Sequence, residues 1–153
     1  MEWDWRLAKE AQMGVKRCLD SNDDVIRDLG GNVNSARIKL EDAEHFEPLA
    51  VAAAIKHWWT PVVESALIPS NVTLTKEAYD ELLSFIKMAY PANGKVGCAV
   101  KTCDTVFLVK CVYETFYAQI GSQLYGPGKV CSNCYEYNEE CVEGLCEVEN
   151  KLI

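Results

Sequence analysis

The segment from Lys95 to Tyr113, KVGCAVKTCDTVFLVKCVY, constrains the fold most strongly, because it predicts a β-hairpin that cysteines can lock. Valine and aromatic residues, which favour strands, dominate two short runs, Val96–Lys101 and Thr105–Val112. The residues between them, Thr102–Asp104, are expected to form a tight turn. Three cysteines lie in this segment, so a covalent lock at the centre of the fold is expected. Buried free thiols are the less favoured alternative.

The whole chain contains eight cysteines, an even number that favours four disulfides and an oxidising compartment. Four of them fall in the tail 126–153, which has few aliphatic residues to offset the entropy of the chain. This tail is therefore predicted to be a small module held by its disulfides, following a larger unit over residues 1–125. A zinc site at Cys131-x-x-Cys134 with Cys141 and Cys146 has suitable spacing, but the oxidising context favours disulfides.

Composition excludes several functional classes. The net charge is −8, from 15 basic and 23 acidic residues, so a surface for nucleic acid is not expected. No apolar run approaches the roughly 20 residues that a membrane-spanning helix needs, so membrane insertion is not expected. The first ten residues, MEWDWRLAKE, do not resemble a signal peptide. If the protein is secreted, a leader has already been removed.

Two helices are predicted from their capping residues. Asp4 is an N-cap for a helix that apolar spacing extends to about Leu19. Thr75 is an N-cap for a later helix whose apolar face continues to Ala89. The polar, Gly- and Asn-rich residues 20–34 are predicted to form a loop.

A further helix is predicted to begin near Pro48, because proline suits the first helical turn. It carries Trp58 and Trp59, which we interpret as core anchors. Pro61 follows, and it is expected to end or kink the helix near Thr60.

No catalytic motif is present in the sequence. The two histidines, His45 and His57, have neither catalytic nor metal-ligand spacing, and no G-x-S-x-G motif or phosphate-binding glycine loop occurs. The sequence therefore predicts a protein that is not an enzyme. The sequon at Asn71, Asn-Val-Thr, predicts a glycosylated surface loop of a secreted protein.

Several of these segments, in this order, resemble the CAP superfamily of secreted proteins, also called SCP/TAPS. The matching segments are M-x-W-D-x-x-L-A at the start, Cys18, G-G-N at 30–32, the Ala-rich helix into Trp58-Trp59, SFIKMAY at 84–90, VGCAV at 96–100, Cys103, and VKCVY at 109–113. Each motif is weak alone, but their shared order over residues 1–125 is specific. The resemblance implies an α+β fold, an α-β-α sandwich stabilised by disulfides, with a small Cys-rich hinge over the tail.

The resemblance also implies a disulfide pattern. The implied pairs are Cys18 with Cys103, Cys98 with Cys111, Cys131 with Cys141, and Cys134 with Cys146.

Many family members bind a divalent cation in a central cleft through two His and two Glu. In this sequence those four positions fall at Ser21, Gly31, Pro61 and Ser84. Glycine and proline offer no side-chain ligand, and hydroxyl groups are poor zinc ligands. We therefore expect no metal and no cofactor in the cleft.

Family members normally carry a leading helix ahead of the M-x-W-D position, which this sequence lacks. We expect its absence to leave apolar surface on the sandwich that a partner or neighbouring chain buries.

The loss of the cleft ligands, together with the retained cysteines, predicts a secreted, non-enzymatic effector from a parasite. Divergent hookworm members of the family imply a host cell-surface receptor as partner, with platelet integrins the leading choice. No RGD or KGD tripeptide occurs, so a surface patch is expected to bind; the candidates are Glu44, Phe46, Phe116 and Tyr117. The alternative is a sterol- or lipid-binding member. The oligomeric state is left open.

Overall fold

A computed structural model describes residues 1–18, 31–115, 117–126, 128–132, 134, 139–142 and 145–148. In chain order the elements are β1 (Glu2–Trp3), α1 (Trp5–Val15), β2 (Val33–Lys39), a 3-10 turn (Glu41–Ala43), α2 (Glu47–Glu64), α3 (Lys76–Glu81), α4 (Leu83–Ala89), β3 (Lys95–Cys103), β4 (Val106–Tyr113), β5 (Glu139–Val142) and β6 (Leu145–Val148). Helices and strands therefore form an α+β fold, as the resemblance implies.

The central sheet has the order β1-β3-β4-β2. Strands β3 and β4 form the hairpin expected from the sequence, and it extends from Lys95 to Tyr113 in antiparallel register. The turn was predicted at Thr102–Asp104, but it lies at Asp104 and Thr105, because cross-strand pairing extends β3 to Cys103. Strand β2 pairs antiparallel with β4, and the two residues of β1 pair parallel with β3. Strands β5 and β6 form a separate two-stranded sheet in the tail.

Helices cover the two faces of this sheet, which is the sandwich arrangement. Alternate residues of β4 point to opposite faces, because side chains alternate along a strand. Phe107 and Val109 pack with Ala54 and Trp58 of α2 on one face. Leu108 packs with Val15 of α1 on the other face.

One edge of the sheet is sealed by side chains. The carbonyl oxygen of Val33 accepts a hydrogen bond from Lys87 Nζ at 2.8 Å, and that of Ser35 accepts one from Trp58 Nε1 at 3.2 Å. Both carbonyls belong to β2, and both point away from β4. Because donors from α4 and α2 occupy these groups, the Val33–Ser35 part of this edge is blocked against further strand pairing.

Several sequence-based boundaries need correction. Helix α1 ends at Val15 rather than near Leu19. The predicted loop 20–34 overlaps β2, which begins at Val33 and was not expected; cross-strand pairing with β4, rather than local propensity, forms this strand. The helix capped by Thr75 is divided into α3 and α4 at Leu82.

The prediction that Pro61 ends or kinks its helix near Thr60 is wrong about the end, since α2 continues to Glu64. Pro61 lies in the last turn, so it removes only the hydrogen bond to the carbonyl of exposed His57. Thr60 Oγ1 donates to the carbonyl of Lys56 at 2.8 Å. The helix therefore continues through the proline with the loss of one backbone hydrogen bond.

The interpretation of both tryptophans as core anchors is correct for Trp58 only. Trp58 is buried, whereas Trp59 is 47% exposed. The ring of Trp59 makes an edge contact with Phe85, with the ring centroids 5.0 Å apart. One ring side of Trp59 is therefore supported by α4 while the remainder faces solvent.

Candidate functional site

The positions that correspond to the family's cation ligands do not form a ligand set. Gly31 lies in the turn before β2, exposed Pro61 lies in α2, and half-buried Ser84 lies in α4. Ser21 lies outside the described residues. Within the described ranges, no group of three His, Cys, Asp or Glu side chains is placed to hold a metal ion.

A buried polar cluster occupies the interior next to Ser84. Asn34, on β2, is fully buried, and its Nδ2 donates to the carbonyl of Ser84 at 2.8 Å and to the hydroxyl of Tyr113 at 3.1 Å. Asn34 Oδ1 is buried without a hydrogen-bond partner among the described residues. The cluster therefore ties β2, β4 and α4 together through one side chain.

Lys87 extends this cluster from α4. Only 1% of Lys87 is exposed, and its ammonium group donates to the carbonyl of Val33. Asn93, also buried, donates through Nδ2 to the carbonyl of Lys87 at 2.6 Å and accepts from the backbone N–H of Thr115 at 3.0 Å. The charged hydrogen bond of Lys87 thus ties α4 to β2, and the two amide hydrogen bonds of Asn93 tie the loop after α4 to the end of α4 and to Thr115.

As far as the described residues form it, this interior does not fit a divalent cation. The buried ammonium of Lys87 would repel a cation, and Gly31, Pro61 and Ser84 supply no carboxylate or imidazole. The chemistry of the cluster is that of a structural network of amide, hydroxyl and ammonium groups. Sequence reasoning missed Asn34 and Lys87. The position of Lys87 inside the apolar run SFIKMAY could have indicated a buried lysine with a specific hydrogen-bond partner.

The candidate partner-binding residues that the structure describes are all on the surface. Glu44 and Phe46 lie between the 3-10 turn and α2, with Phe46 56% exposed. Tyr117, which follows β4, is 76% exposed. Phe116 lies outside the described residues. Glu44 and His45 both have positive φ, 49° and 57°, so this turn presents its side chains from a constrained backbone.

The disulfides are those that the resemblance implies, as far as the structure describes them. Cys18 is joined to Cys103, Cys98 to Cys111, and Cys131 to Cys141. Cys134 is also disulfide-bonded, while the side chain of its expected partner, Cys146, lies outside the described part.

Grooves border β3 on both faces of the sheet, and the following two were not predicted from the sequence. On the α2 side, a groove of about 430 Å³ is lined by Trp3, Glu47, Pro48, Val51, Cys98, Ala99 and Val100. On the α1 side, a groove of about 480 Å³ is lined by Lys9, Gln12, Met13, Val15, Lys16, Val100 and Lys101. The first groove is mainly apolar, and the second carries three lysines in a chain whose net charge is −8.

At the start of α1, the surroundings of Asp4 lower the pKa of its carboxyl group. A side-chain hydrogen bond from Arg6 lowers the pKa of Asp4 from 3.8 to about 2, with help from the backbone N–H groups of Arg6 and Leu7. The Arg6–Asp4 ion pair measures 2.9 Å. The carboxylate therefore stays ionised and keeps the start of α1 capped.

The family assignment follows from the sequence model that matches residues 1–113. That model describes CAP, the cysteine-rich secretory protein family. The match covers most of the chain, so the chain belongs to the CAP family.

Two curated relatives are similar over nearly the whole chain. The Ancylostoma secreted protein of Ancylostoma caninum is 25% identical over 95% of this chain, and the cysteine-rich venom protein of Tityus serrulatus is 27% identical over 96%. The chain spans 34% and 37% of their respective lengths, about a third of each relative.

Solved structures share the fold. BmVAL-1 superposes with a TM-score of 0.76 at 23% identity, covering 97% of this chain and 76% of that one. NaASP2 with Zn²⁺ gives 0.69 at 22% identity over 96% and 75% of the chains. The hookworm platelet inhibitor gives 0.58 at 21% identity over 90% and 66%. At these identities the likeness concerns the fold.

Proposed function

We propose that this chain is a secreted, non-enzymatic effector of a parasite that binds a host cell-surface receptor, with platelet integrins as the leading target. The observation that carries the proposal is the combination of a disulfide framework with cleft positions that offer no ligand. Gly31 and Pro61 cannot act through side-chain chemistry, while two described disulfides hold the sandwich and a third holds the tail. A rigid scaffold without a catalytic group acts through its surface.

The surface supports a protein partner in two places. Phe46 and Tyr117 are large aromatic side chains exposed to solvent, and aromatic residues are the side chains that most often anchor interfaces. Glu44 lies beside Phe46, and the net charge of −8 favours a partner with cationic patches. We choose platelet integrins as the target because the fold is similar to that of the hookworm platelet inhibitor.

Platelet aggregation in plasma tests this proposal. The purified, oxidised protein is expected to inhibit aggregation induced by ADP and by collagen, and to compete with fibrinogen for immobilised platelet integrin. Protein that has been reduced and alkylated serves as the inactive control. If the oxidised protein has no effect on aggregation and does not bind the integrin, the proposal is wrong.

The exposed aromatic residues are tested in the same assay. A Phe46→Ala, Tyr117→Ala double variant is expected to inhibit at least tenfold less well, because aromatic anchors carry a large share of binding free energy. Val130→Ala is the matched control, since Val130 is equally exposed, at 76%, but lies in the tail segment. Equal inhibition by all three proteins would remove these residues from the binding surface.

Sterol or lipid carriage stays the alternative prediction. Binding of a fluorescent sterol at micromolar concentration, measured with the same oxidised protein, tests it independently of the platelet assay. Among the helices that the structure describes, none is both long and apolar enough to cross a membrane.

The proposal of secretion includes glycosylation at Asn71. Asn71 is exposed, and its Oδ1 accepts a hydrogen bond from the backbone N–H of Thr73 at 3.2 Å. Expression in a eukaryotic secretory cell should yield a protein whose electrophoretic mobility changes after treatment with a glycosidase. Asn71→Gln should remove that change, and an unaltered mobility of the wild type would show that the sequon is not used.

A further inference from the structure

The second edge of the central sheet is open. Strand β1 pairs with β3 only at Glu2↔Lys95 and Trp3↔Val96. The chain then turns into α1, because Asp4 caps that helix. From Cys98 to Thr102, therefore, no other strand within the described residues pairs with the outer side of β3.

The backbone groups that face outward can be identified from the pairing pattern. The carbonyls of Gly94 and Val96 accept hydrogen bonds from Glu2 and Asp4 at 2.7 and 2.9 Å, so even-numbered residues face away from β4. In an antiparallel ladder the direction alternates with each residue. The N–H and C=O groups of Cys98, Val100 and Thr102 consequently point outward.

Grooves border this edge on both faces of the sheet. Cys98, Ala99 and Val100 line the apolar groove on the α2 side and also a groove on the α1 side formed with Trp5, Ala8, Lys9 and Gln12. These three residues are half-buried, whereas Phe107, Leu108 and Val109 of the neighbouring β4 are buried. The edge of β3 is thus accessible from both faces of the sheet.

The two faces of the sheet differ beside this edge: the α2 side is apolar and the α1 side is basic. The α2 side presents Trp3, Pro48 and Val51, which suit an apolar side chain. The α1 side presents Lys9 and Lys16, both exposed and two helical turns apart, with Lys101 across the groove. Lys101 also donates to the carbonyl of Lys16 at the end of α1. No acidic residue is among the described residues that line this α1 groove.

We propose that the edge Cys98–Lys101 binds an extended peptide segment of a partner protein by adding it to the sheet as a further strand. The carbonyl of Thr102, just beyond this edge, is in contact with Cys18 Sγ at 3.9 Å. Side chains of an added strand alternate between the two faces, so the partner segment alternates apolar residues with Asp or Glu. The apolar residues enter the groove of Trp3 and Val51, and the acidic residues meet Lys9 and Lys16. This inference deepens the proposed function by naming how a protein partner is recognised.

A second copy of this chain is a poor occupant of the same edge. Pairing β3 with β3 of another molecule would bring two sets of Lys9, Lys16 and Lys101 together. Like charges in register oppose strand pairing. We therefore expect the protein not to dimerise through this edge.

Synthetic peptides test the proposal without a platelet receptor. The probe is an end-capped six-residue peptide that alternates valine and glutamate, titrated into the oxidised protein by calorimetry. The matched probe alternates valine and lysine. The glutamate peptide is expected to bind at least tenfold more tightly, and N-methylation of one alternate set of its amides should abolish binding while methylation of the other set has little effect.

Protein variants locate the binding to the edge. Val100→Pro removes an outward N–H and leaves the β3–β4 hydrogen bonds intact, so it is expected to abolish peptide binding. Val100→Ala is its control, because it shortens the side chain and keeps the N–H. A Lys9→Glu, Lys16→Glu variant should reverse the preference between the two peptides, whereas Lys76→Glu, Lys129→Glu should not.

The result is decisive in each direction. Equal binding of both peptides, no binding of either, insensitivity to N-methylation, or a dimer that Val100→Pro dissolves would overturn the proposal. If Val100→Pro does not fold, the N-methylated peptides decide the question with the wild-type protein. Because these measurements involve no platelet component, a failed platelet assay and a failed peptide assay are separate results.

Discussion

At the scale of single residues, Gly97 shows how closely α1 approaches the sheet. A Cβ atom built at this position would lie 2.0 Å from the backbone nitrogen of Ala8 and 2.7 Å from the carbonyl oxygen of Asp4. Only glycine permits this approach, and the contact is with backbone atoms that cannot move independently of α1. The position of α1 on the sheet therefore depends on one missing methyl group.

Gly97→Ala is expected to destabilise the protein by about 3 kcal/mol or more, since overpacking against backbone displaces a whole helix. The measurement is urea denaturation followed by circular dichroism. Gly31→Ala is the control, because the nearest atom to a Cβ there is 4.0 Å away. Similar stability of the two variants would show that α1 adjusts freely.

A second residue-scale prediction concerns acid stability. The folded-state pKa of Asp4 is lowered to about 2, so its ionised form contributes stability above pH 4, and this contribution is lost as the pH falls from about 4 to about 2. Asp4→Asn should lower the Tm at pH 6, and the difference from the wild type should shrink towards pH 2.

Scanning calorimetry at several pH values measures this difference. The control is Asp80→Asn, which removes an exposed carboxylate paired with Lys76 and should change the Tm little, because surface ion pairs contribute little to stability. A Tm difference for Asp4→Asn that is constant from pH 6 to pH 2 would contradict the claim that the ionised carboxylate of Asp4 stabilises the folded state.

At the scale of elements, α2 is unusual because it is apolar on more than its buried side. Ala50, Ala54 and Trp58 face the core, while Ile55 and Val63 are exposed. Its exposed side therefore mixes these apolar side chains with charged and polar ones such as Lys56 and His57.

The two prolines of α2 give opposite predictions. Pro61→Ala restores a backbone N–H inside the helix and should stabilise the protein by about 1–2 kcal/mol, after allowance for the freer unfolded chain. Pro48→Ala should give no gain, because proline suits the first turn, where that N–H has no helical partner. Thermal unfolding of both variants measures the contrast, and equal effects would contradict it.

At the scale of the whole molecule, the disulfides differ in the length of chain that they close. Cys18–Cys103 spans 85 residues and joins the end of α1 to the end of β3, whereas Cys98–Cys111 spans 13 residues inside the hairpin. Loop entropy predicts that removing the first disulfide lowers the free energy of unfolding by about 4–5 kcal/mol, and that removing the second lowers it by about 3 kcal/mol.

Paired Cys→Ala variants, compared by urea denaturation, test this order. The hairpin variant Cys98→Ala, Cys111→Ala serves as the reference for the variant Cys18→Ala, Cys103→Ala, since each variant loses one disulfide that ends on β3. A larger loss in the hairpin variant would show that loop length does not govern their contribution.

The sequence alone was sufficient for the features that local chemistry specifies. Asp4 and Thr75 were identified as caps because their side chains accept from backbone N–H groups within three residues, and both do so in the structure. The hairpin was identified because two valine-rich runs flank a short turn. The order of weak motifs was sufficient for the family and its sandwich fold.

Tertiary structure alone decided the features that depend on distant partners. The sequence of β2 is largely polar, and it forms a strand because it pairs with β4 along its whole length, with Asn34 hydrogen-bonded to Ser84 and Tyr113. The burial of Lys87 likewise depends on a carbonyl 54 residues away. The open edge of β3 exists because β1 stops after two residues and the chain then turns into α1 at Asp4. Such features arise from pairing and packing between segments, and a local pattern contains no information about which partner a segment meets.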